Sequence, residues 1–502
     1  MTAVRRPPAR ARLRGHAVLV PLLAVLCVGL FVLSLAEPTL LYAAFGVTAT
    51  TIIAVPMLLS PRFDLFSPWS FLFITTFFGC GLRGAAMSAG WPDPRRISDM
   101  LIFGMNPTDM LFPGGLLLCG CLLMVVGYFV LGPRLARRPL RLVDLPLDSR
   151  FRGSVLLLTA LSFSSTFLYV TLTNEGSSAI SAKRAKITDR DVAGNTDVQQ
   201  HGILVHASRL AVYALLLVLA VPWFGHGRQT LYWRGMLGVL FLLGLALPFY
   251  SSQRLGVMWT CMAIAAAVTY TRGRVPVPQL AMLSSVCVCL YFVMAVLRAG
   301  GVERARTADE NLPPAELFLS KLIVHRNFLG VSKTANIINS VPQSLPFDHG
   351  RSIYVWAIAN VPRSAWPDKP LVHCGPIIGT DVYGNRVSGV PPGLVAELYW
   401  NFGPVGVLAG CLAFGAVLRF VYETLAPHNG GGPANILLYV VGPMRLAFDA
   451  SGNSIGYGLN AAALNAATMA VVLLAVGRRR RDVAALGSAP APPPPRWRRL
   501  AA

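Results

Sequence analysis

The sequence predicts an all-α, polytopic integral membrane protein, and three observations carry that reading. Of its 502 residues, 54% are hydrophobic and only 13% charged, where a soluble globular chain carries about 25% charged residues. The apolar residues fall into runs of the length that crosses a bilayer, roughly 20 residues each. The basic residues gather between those runs in alternate loops. A soluble enzyme, a disordered chain and a nucleic-acid-binding domain are excluded, although the formal net charge is +22.

About twelve runs qualify, at 17–36, 38–59, 66–88, 111–132, 153–173, 203–223, 235–250, 255–270, 279–297, 399–420, 434–449 and 459–477. The first is long and is followed at once by the second, so it reads as a span and not as a cleavable leader. The seventh and eighth are separated only by Ser251-Ser252-Gln253-Arg254. Residues 1–16 form a basic tail with Arg5, Arg6, Arg10, Arg12 and Arg14, residues 17–477 the membrane domain, and 478–502 a second basic tail. That second tail opens with Arg478-Arg479-Arg480-Arg481, and its Pro-rich stretch 489–495 reads as disordered.

The positive-inside rule orients the chain. Twelve spans put both tails, the 133–152 loop and the turns at 224–234 and 271–278 on the cytoplasmic side. Those cytoplasmic segments hold 23 basic and five acidic residues. The outer face, with Arg83 and Arg445 counted there, holds 19 basic and 17 acidic. Nearly all of the net charge is therefore a statement about topology.

Three outer segments are substantial: 89–110, 174–202 and 298–398. The last, before the final three spans, is too long for a passive connector. It holds Tyr354, Trp356, Trp366 and Tyr383 among many aliphatics and is expected to be partly helical and packed over the membrane domain. Helical apolar spacing runs through 313–341, and 351–361 suits a second, interfacial helix. Eight of the nine cysteines lie in predicted spans, and Cys374 alone lies in an outer loop, so no disulfide framework is expected there. The Cys119/Cys121 and Cys287/Cys289 pairs lack the spacing and companion histidines of a zinc site. The nearest approach to a carboxylate metal site is Asp189-Arg190-Asp191 in the 174–202 loop, and neither metal nor cofactor is expected.

An ionisable residue at membrane depth is costly and marks function. Arg83 interrupts an apolar stretch, Arg254 sits in a tight outer turn, Arg209 lies in the outer third of its span and Glu397 stands at the outer start of its span. Arg445 and Asp449 are one helical turn apart, either part of a cationic site or an internal ion pair. Guanidinium groups suit phosphate oxygens through paired, charge-assisted hydrogen bonds. Several converging at the outer surface would receive a diphosphate whose lipid tail stays in the bilayer.

The most distinctive segment runs from Gly350-Arg351-Ser352-Ile353-Tyr354 through Val361-Pro362-Arg363-Ser364-Ala365-Trp366-Pro367-Asp368-Lys369-Pro370. It resembles the large outer-loop motif of bacterial oligosaccharide repeat-unit polymerases of the Wzy or O-antigen type. Pro391 through Gly406 is similar to that family's re-entry into the membrane, Leu82-Arg83-Gly84 to its early intramembrane arginine, and Ser251 through Gly256 to its Arg–Gly turn. In that turn Leu255 stands where a glycine commonly follows the arginine.

The resemblance implies polymerisation of undecaprenyl-diphosphate-linked oligosaccharide units on the outer face of the bacterial inner membrane, without a cofactor. Flippase and chain-length regulator proteins are the implied partners. It implies diphosphate contacts from Arg83, Arg254, Arg363, Lys369 and Arg445, with Arg351 behind them. Glu397 or Asp368, or else His349 or His373, would serve the acceptor hydroxyl, with Arg363 at the reacting centre. Trp366 and Tyr399 would hold sugar, Trp366 serving equally well as an interfacial anchor. Pro362, Pro367 and Pro370 fix the backbone that presents Arg363 and Lys369. An O-antigen-ligase-like transferase shares every one of these features except the acceptor. A flippase is the reading from another class, disfavoured by the absence of an internal repeat and by the long outer loop.

Overall fold

The computed structural model describes residues 9–59, 64–91, 106–136, 140, 142–173, 202–223, 231–250, 254–273, 275–299, 323, 329–359, 361, 365–366, 370, 374–384, 389–425, 427 and 432–477. Among them there are helices and no strand. The long ones are α1 (Ala9–Ser34), α2 (Leu41–Leu59), α3 (Pro68–Ser88), α4 (Pro107–Leu135), α5 (Ser149–Thr173), α6 (Ile203–Pro222), α7 (Leu231–Tyr250), α8 (Arg254–Arg272) and α9 (Val277–Ala299). Within residues 298–398 lie α10 (Val331–Ser340), the four-residue α11 (Arg351–Tyr354) and α12 (Gly375–Asp381). The chain closes with α13 (Leu394–Leu425), α14 (Pro433–Val441), α15 (Pro443–Gly452) and α16 (Ile455–Val476).

Every one of the twelve apolar runs falls on helix. Eight of these helices are long and apolar enough to cross a bilayer by length and composition, four fewer than the count from hydropathy. The 17–36 and 279–297 runs lie on α1 and α9, whose apolar portions are Leu19–Ser34 and Val277–Leu290. The 255–270 run is α8, 19 residues with an arginine at each end. The 434–449 run is cut in two: Gly442 leaves helical geometry (φ −105°, ψ −87°) and Pro443, which has no N–H to donate, opens a new helix. Helix α1 begins at Ala9, so part of the expected N-terminal tail is helical. Residues 478–502 lie outside the described residues.

Local chemistry sets several boundaries. Ser67 caps α3 by accepting from the Ser70 N–H, with Pro68 in the first turn. Ser454 caps α16 by accepting from the Tyr457 N–H at 3.0 Å. Helix α13 is broken inside its length by Gly403 (φ 63°) ahead of Pro404. The stretch Leu394–Asn401 before the break is buried at every position.

Small residues let the helices approach backbone to backbone, as membrane helices require. A Cβ on Gly84 of α3 would stand 2.3 Å from the Tyr42 carbonyl oxygen of α2, and one on Gly415 of α13 would stand 2.3 Å from the Met124 carbonyl oxygen of α4. Helix α6 is buried from Ala211 to Pro222. Leu156, Leu157, Phe163 and Phe167 on α5, and Val471 and Leu474 on α16, are exposed, the apolar outer surface a bilayer would cover.

The bundle has two distinct polar ends. At one, the Leu140 N–H donates to the Thr424 carbonyl, and Asn435 Nδ2 donates to the carbonyls of Leu140 and Leu425. Gly477 packs on Val143 there. Asp64 Oδ2, between α2 and α3, accepts from the hydroxyls of Tyr270 and Tyr422. Residues 140–143 and the C-terminal end of α16 at Gly477 thus share an end. The other end carries Arg83, helices α10 and α11 and the N-terminus of α16.

Candidate functional site

At that second end, α3 carries a π-helical turn, Phe77–Leu82, directly before Arg83. Such a turn inserts extra backbone and re-aims the side chains beyond it, a device common at functional sites. Arg83 is fully buried. Its Nε donates to the Ile323 carbonyl at 3.1 Å. A Cβ on Gly330 would stand 2.5 Å from Arg83 Nη1, so the guanidinium lies over a position only glycine leaves open.

The chain just beyond Gly330 brings in a second buried cation. Lys333 on α10 is fully buried, and its Nζ donates to the Gly452 carbonyl, at the C-terminus of α15, at 3.0 Å. Burial pushes the Lys333 ammonium well below its usual range, and the neighbouring Arg83 charge pushes it further. The Cys80 thiol, three residues before Arg83, donates to the Leu329 carbonyl at 3.1 Å.

Glu397 forms the other half of the buried polar cluster. Its Oε1 accepts from the Ser352 hydroxyl at 2.9 Å and its Oε2 from the Ile455 N–H at 2.5 Å, with the Gly456 N–H also donating. A carboxylate thus caps the N-terminus of α16, where two free amides and the helix dipole favour it. Asn401 Nδ2 donates to Ser352 Oγ at 2.8 Å. The loop segment is strapped down further along: Asp348 N donates to the Trp400 carbonyl at 3.0 Å, and Trp400 Nε1 to the Pro346 carbonyl at 2.8 Å. Asp348 in turn accepts from the Ser352 N–H at 2.6 Å, while its burial raises its carboxyl above the ordinary range. Cys374 meets the Ser454 side chain, its thiol pushed well up by burial and by the Glu397 charge.

The site residues expected from sequence are therefore spread over several settings. Arg83 and Glu397 sit in the buried cluster. Arg445 is buried but engaged within its own helix: its Nε pairs with Asp449 Oδ2 at 2.5 Å and its guanidinium stacks over Trp259, 4.8 Å from the ring centre. Tyr399 is buried against Phe112 and Phe347, which presents no open face, whereas Trp366 and Arg351 are exposed. Arg254 opens α8, and its side chain lies outside the described residues, as do Arg363, Asp368, Lys369 and His373. His349 holds a left-handed backbone (φ 48°) beside Phe347.

Sequence reasoning passed over Lys333, Ser352 and Asn401. A signal existed for Lys333: it stands one helical turn before Ile337, on the apolar side of an amphipathic segment, where a surface lysine is out of place. Among the described residues no group of three or more His, Cys, Asp or Glu side chains is arranged to hold a metal.

Fold and site together define a polytopic all-α membrane protein with a buried ionic cluster at one end of its bundle. No family model, no curated protein and no solved structure matches the chain.

Proposed function

We propose that this protein polymerises undecaprenyl-diphosphate-linked oligosaccharide repeat units at the outer face of the bacterial cytoplasmic membrane, with both termini in the cytoplasm. The observation that carries the reading is the burial of Arg83 at the bundle end to which the outer-loop segments 329–359 and 389–401 are fastened. That is the place where a lipid-borne diphosphate would present its charge. The Arg363–Lys369 string enters and leaves between those fastened segments.

In the reaction, an acceptor hydroxyl attacks the anomeric carbon of the growing chain. The bond from that carbon to the diphosphate oxygen breaks, the hydroxyl proton passes to a base, and undecaprenyl diphosphate leaves as the anion. Cations that meet charge developing on the leaving group supply the main stabilisation. Glu397 has both oxygens engaged in the fold, so Asp368 is the carboxylate this proposal assigns to the acceptor hydroxyl.

The test is extension of a lipid-linked oligosaccharide by purified protein in detergent, where transport cannot be scored. A ladder of repeat units supports the proposal, while a single transfer to a different acceptor indicates a ligase. Arg363→Ala is expected to abolish the ladder and leave membrane insertion intact; a wild-type ladder from that variant would remove Arg363 from the site.

A further inference from the structure

We propose that Cys261 and Cys287 form a reversible disulfide that staples α8 to α9, with a lipid-soluble quinone as the oxidant. The inference is independent of the polymerase reading. Helices α8 and α9 are joined by the short turn 273–276 and pack on each other, which makes them an antiparallel hairpin. Cys261 lies 11 residues before Arg272, the last of α8, and Cys287 lies 10 residues after Val277, the first of α9. At 1.5 Å per residue both stand about 15–17 Å from the turn. They therefore share one depth, near the middle of a bilayer core roughly 30 Å thick. Equal depth alone does not make two side chains meet, but these do: the two thiols share a hydrogen bond across the helix contact. Both are free thiols in the structure.

The pair is also reachable from the lipid. Cys261 is buried, whereas Cys287 is only partly covered, and Val286 and Val288 beside it are exposed on the apolar outer surface. A quinone dissolved in the bilayer approaches from that side. As the S–S bond forms, both S–H bonds break. The two electrons and two protons pass to the quinone, which becomes the quinol. Because the sulfurs share a depth, closure takes side-chain rotation without an axial slide of either helix.

The consequence lies in how α9 is held. Near the turn, Leu280 and Leu283 pack against the main core. Farther along, Leu290 and Met294 join Leu245 and Val257 in a small apolar cluster separate from that core. Cys287 stands between these two attachments. Helix α9 is also where the chain leaves for the segment that follows Ala299. A covalent bond at its middle fixes that exit against α8, so the redox state of the membrane sets how firmly the exit is anchored.

The competing account is packing alone, in which each free cysteine acts as a small apolar residue. Full-length protein reconstituted in lipid is first reduced, then treated with decylubiquinone or with copper–phenanthroline. It is quenched with N-ethylmaleimide and digested for mass spectrometry with and without dithiothreitol. A Cys261–Cys287 peptide pair is expected in the quinone sample, lost on reduction and missing from Cys287→Ser. Cys289→Ser is expected to retain it. The oxidised wild type is expected to melt roughly 5 °C above the reduced protein, as closing a short loop implies, and Cys287→Ser is expected to lose that shift.

Both thiols still free after either oxidant overturns the proposal. So does a crosslink that copper–phenanthroline drives and the quinone does not, which would leave two neighbouring cysteines without a redox role. Equal melting temperatures for the crosslinked and reduced protein would show that the bond staples nothing.

Discussion

Truncating Glu397 tests whether this carboxylate holds the fold or handles substrate. In Glu397→Ala the Ile455 and Gly456 amides lose their acceptor and the Ser352 hydroxyl loses its own. The hydroxyl can rotate to another partner, but the two amides at the start of α16 are fixed. A buried donor left unsatisfied costs about 1–3 kcal/mol, so two of them put the loss at about 4 kcal/mol. Glu397→Gln retains an acceptor for Ile455, loses the charge and turns the Oε1 position into a donor toward the Ser352 hydroxyl, at about 1–2 kcal/mol, the difference between charged and neutral hydrogen bonds. Unfolding of the purified protein in mixed micelles measures both, with the ladder assay run in parallel. If the alanine variant unfolds within about 0.5 kcal/mol of wild type, the threshold of an ordinary surface change, the capping argument is wrong. If the glutamine variant is as stable as wild type and makes no polymer, Glu397 acts on substrate after all.

The same contacts set three further outcomes. Gly84→Leu would place a Cβ 2.3 Å from the Tyr42 carbonyl oxygen; this forces α2 and α3 apart at a cost of about 3 kcal/mol or more, and loss of a monodisperse peak in gel filtration checks it. Asp449→Leu leaves the buried Arg445 charge uncompensated and is expected to cost about 3–5 kcal/mol, whereas adding Arg445→Met recovers most of that; a cycle with both single variants on unfolding free energy decides. Lys333 has a folded-state value well below the unfolded one of about 10.4, so between those two values the unfolded chain holds the extra proton and stability rises with pH. Below the folded value the full cost is present. Lys333→Met should flatten that rise in melting temperature; a slope equal to wild type would contradict the assignment.

The membrane helices were legible because a span is a long run, and every run proved helical. What hydropathy averaging cannot see is a single break. Gly442-Pro443 and Gly403-Pro404 both stand in plain sight in the sequence, yet each is two residues inside an apolar window. The second break also explains Glu397. Read as the first polar residue of a span, it belonged at the water interface. In the fold, Leu394–Asn401 forms a separate buried segment ahead of Gly403, and the carboxylate lies beneath the loop helices. Arg83 was recognised because it interrupts a span. Lys333 was not, because in a loop a lysine is assumed to face water, and nothing but its one-turn spacing to Ile337 says otherwise.

The described residues of 298–398 gain their definition from attachment to the bundle, their buried side chains joining its core. Ahead of the Arg363–Lys369 string the chain is fixed by Trp400 to Pro346, Asp348 to Trp400 and Ser352 to Glu397. Behind it, Cys374 reaches Ser454, the Val390 N–H donates to the Gly375 carbonyl and the Gly393 N–H donates to the Asn453 carbonyl. Glu397 and Ser454 both serve the first turn of α16, so both flanks of the string converge on one helix N-terminus. A change there moves the two flanks together. That couples the cap of α16 to both flanks, and it gives a structural route by which a destabilised Glu397 variant would lose polymer without Glu397 ever touching a sugar.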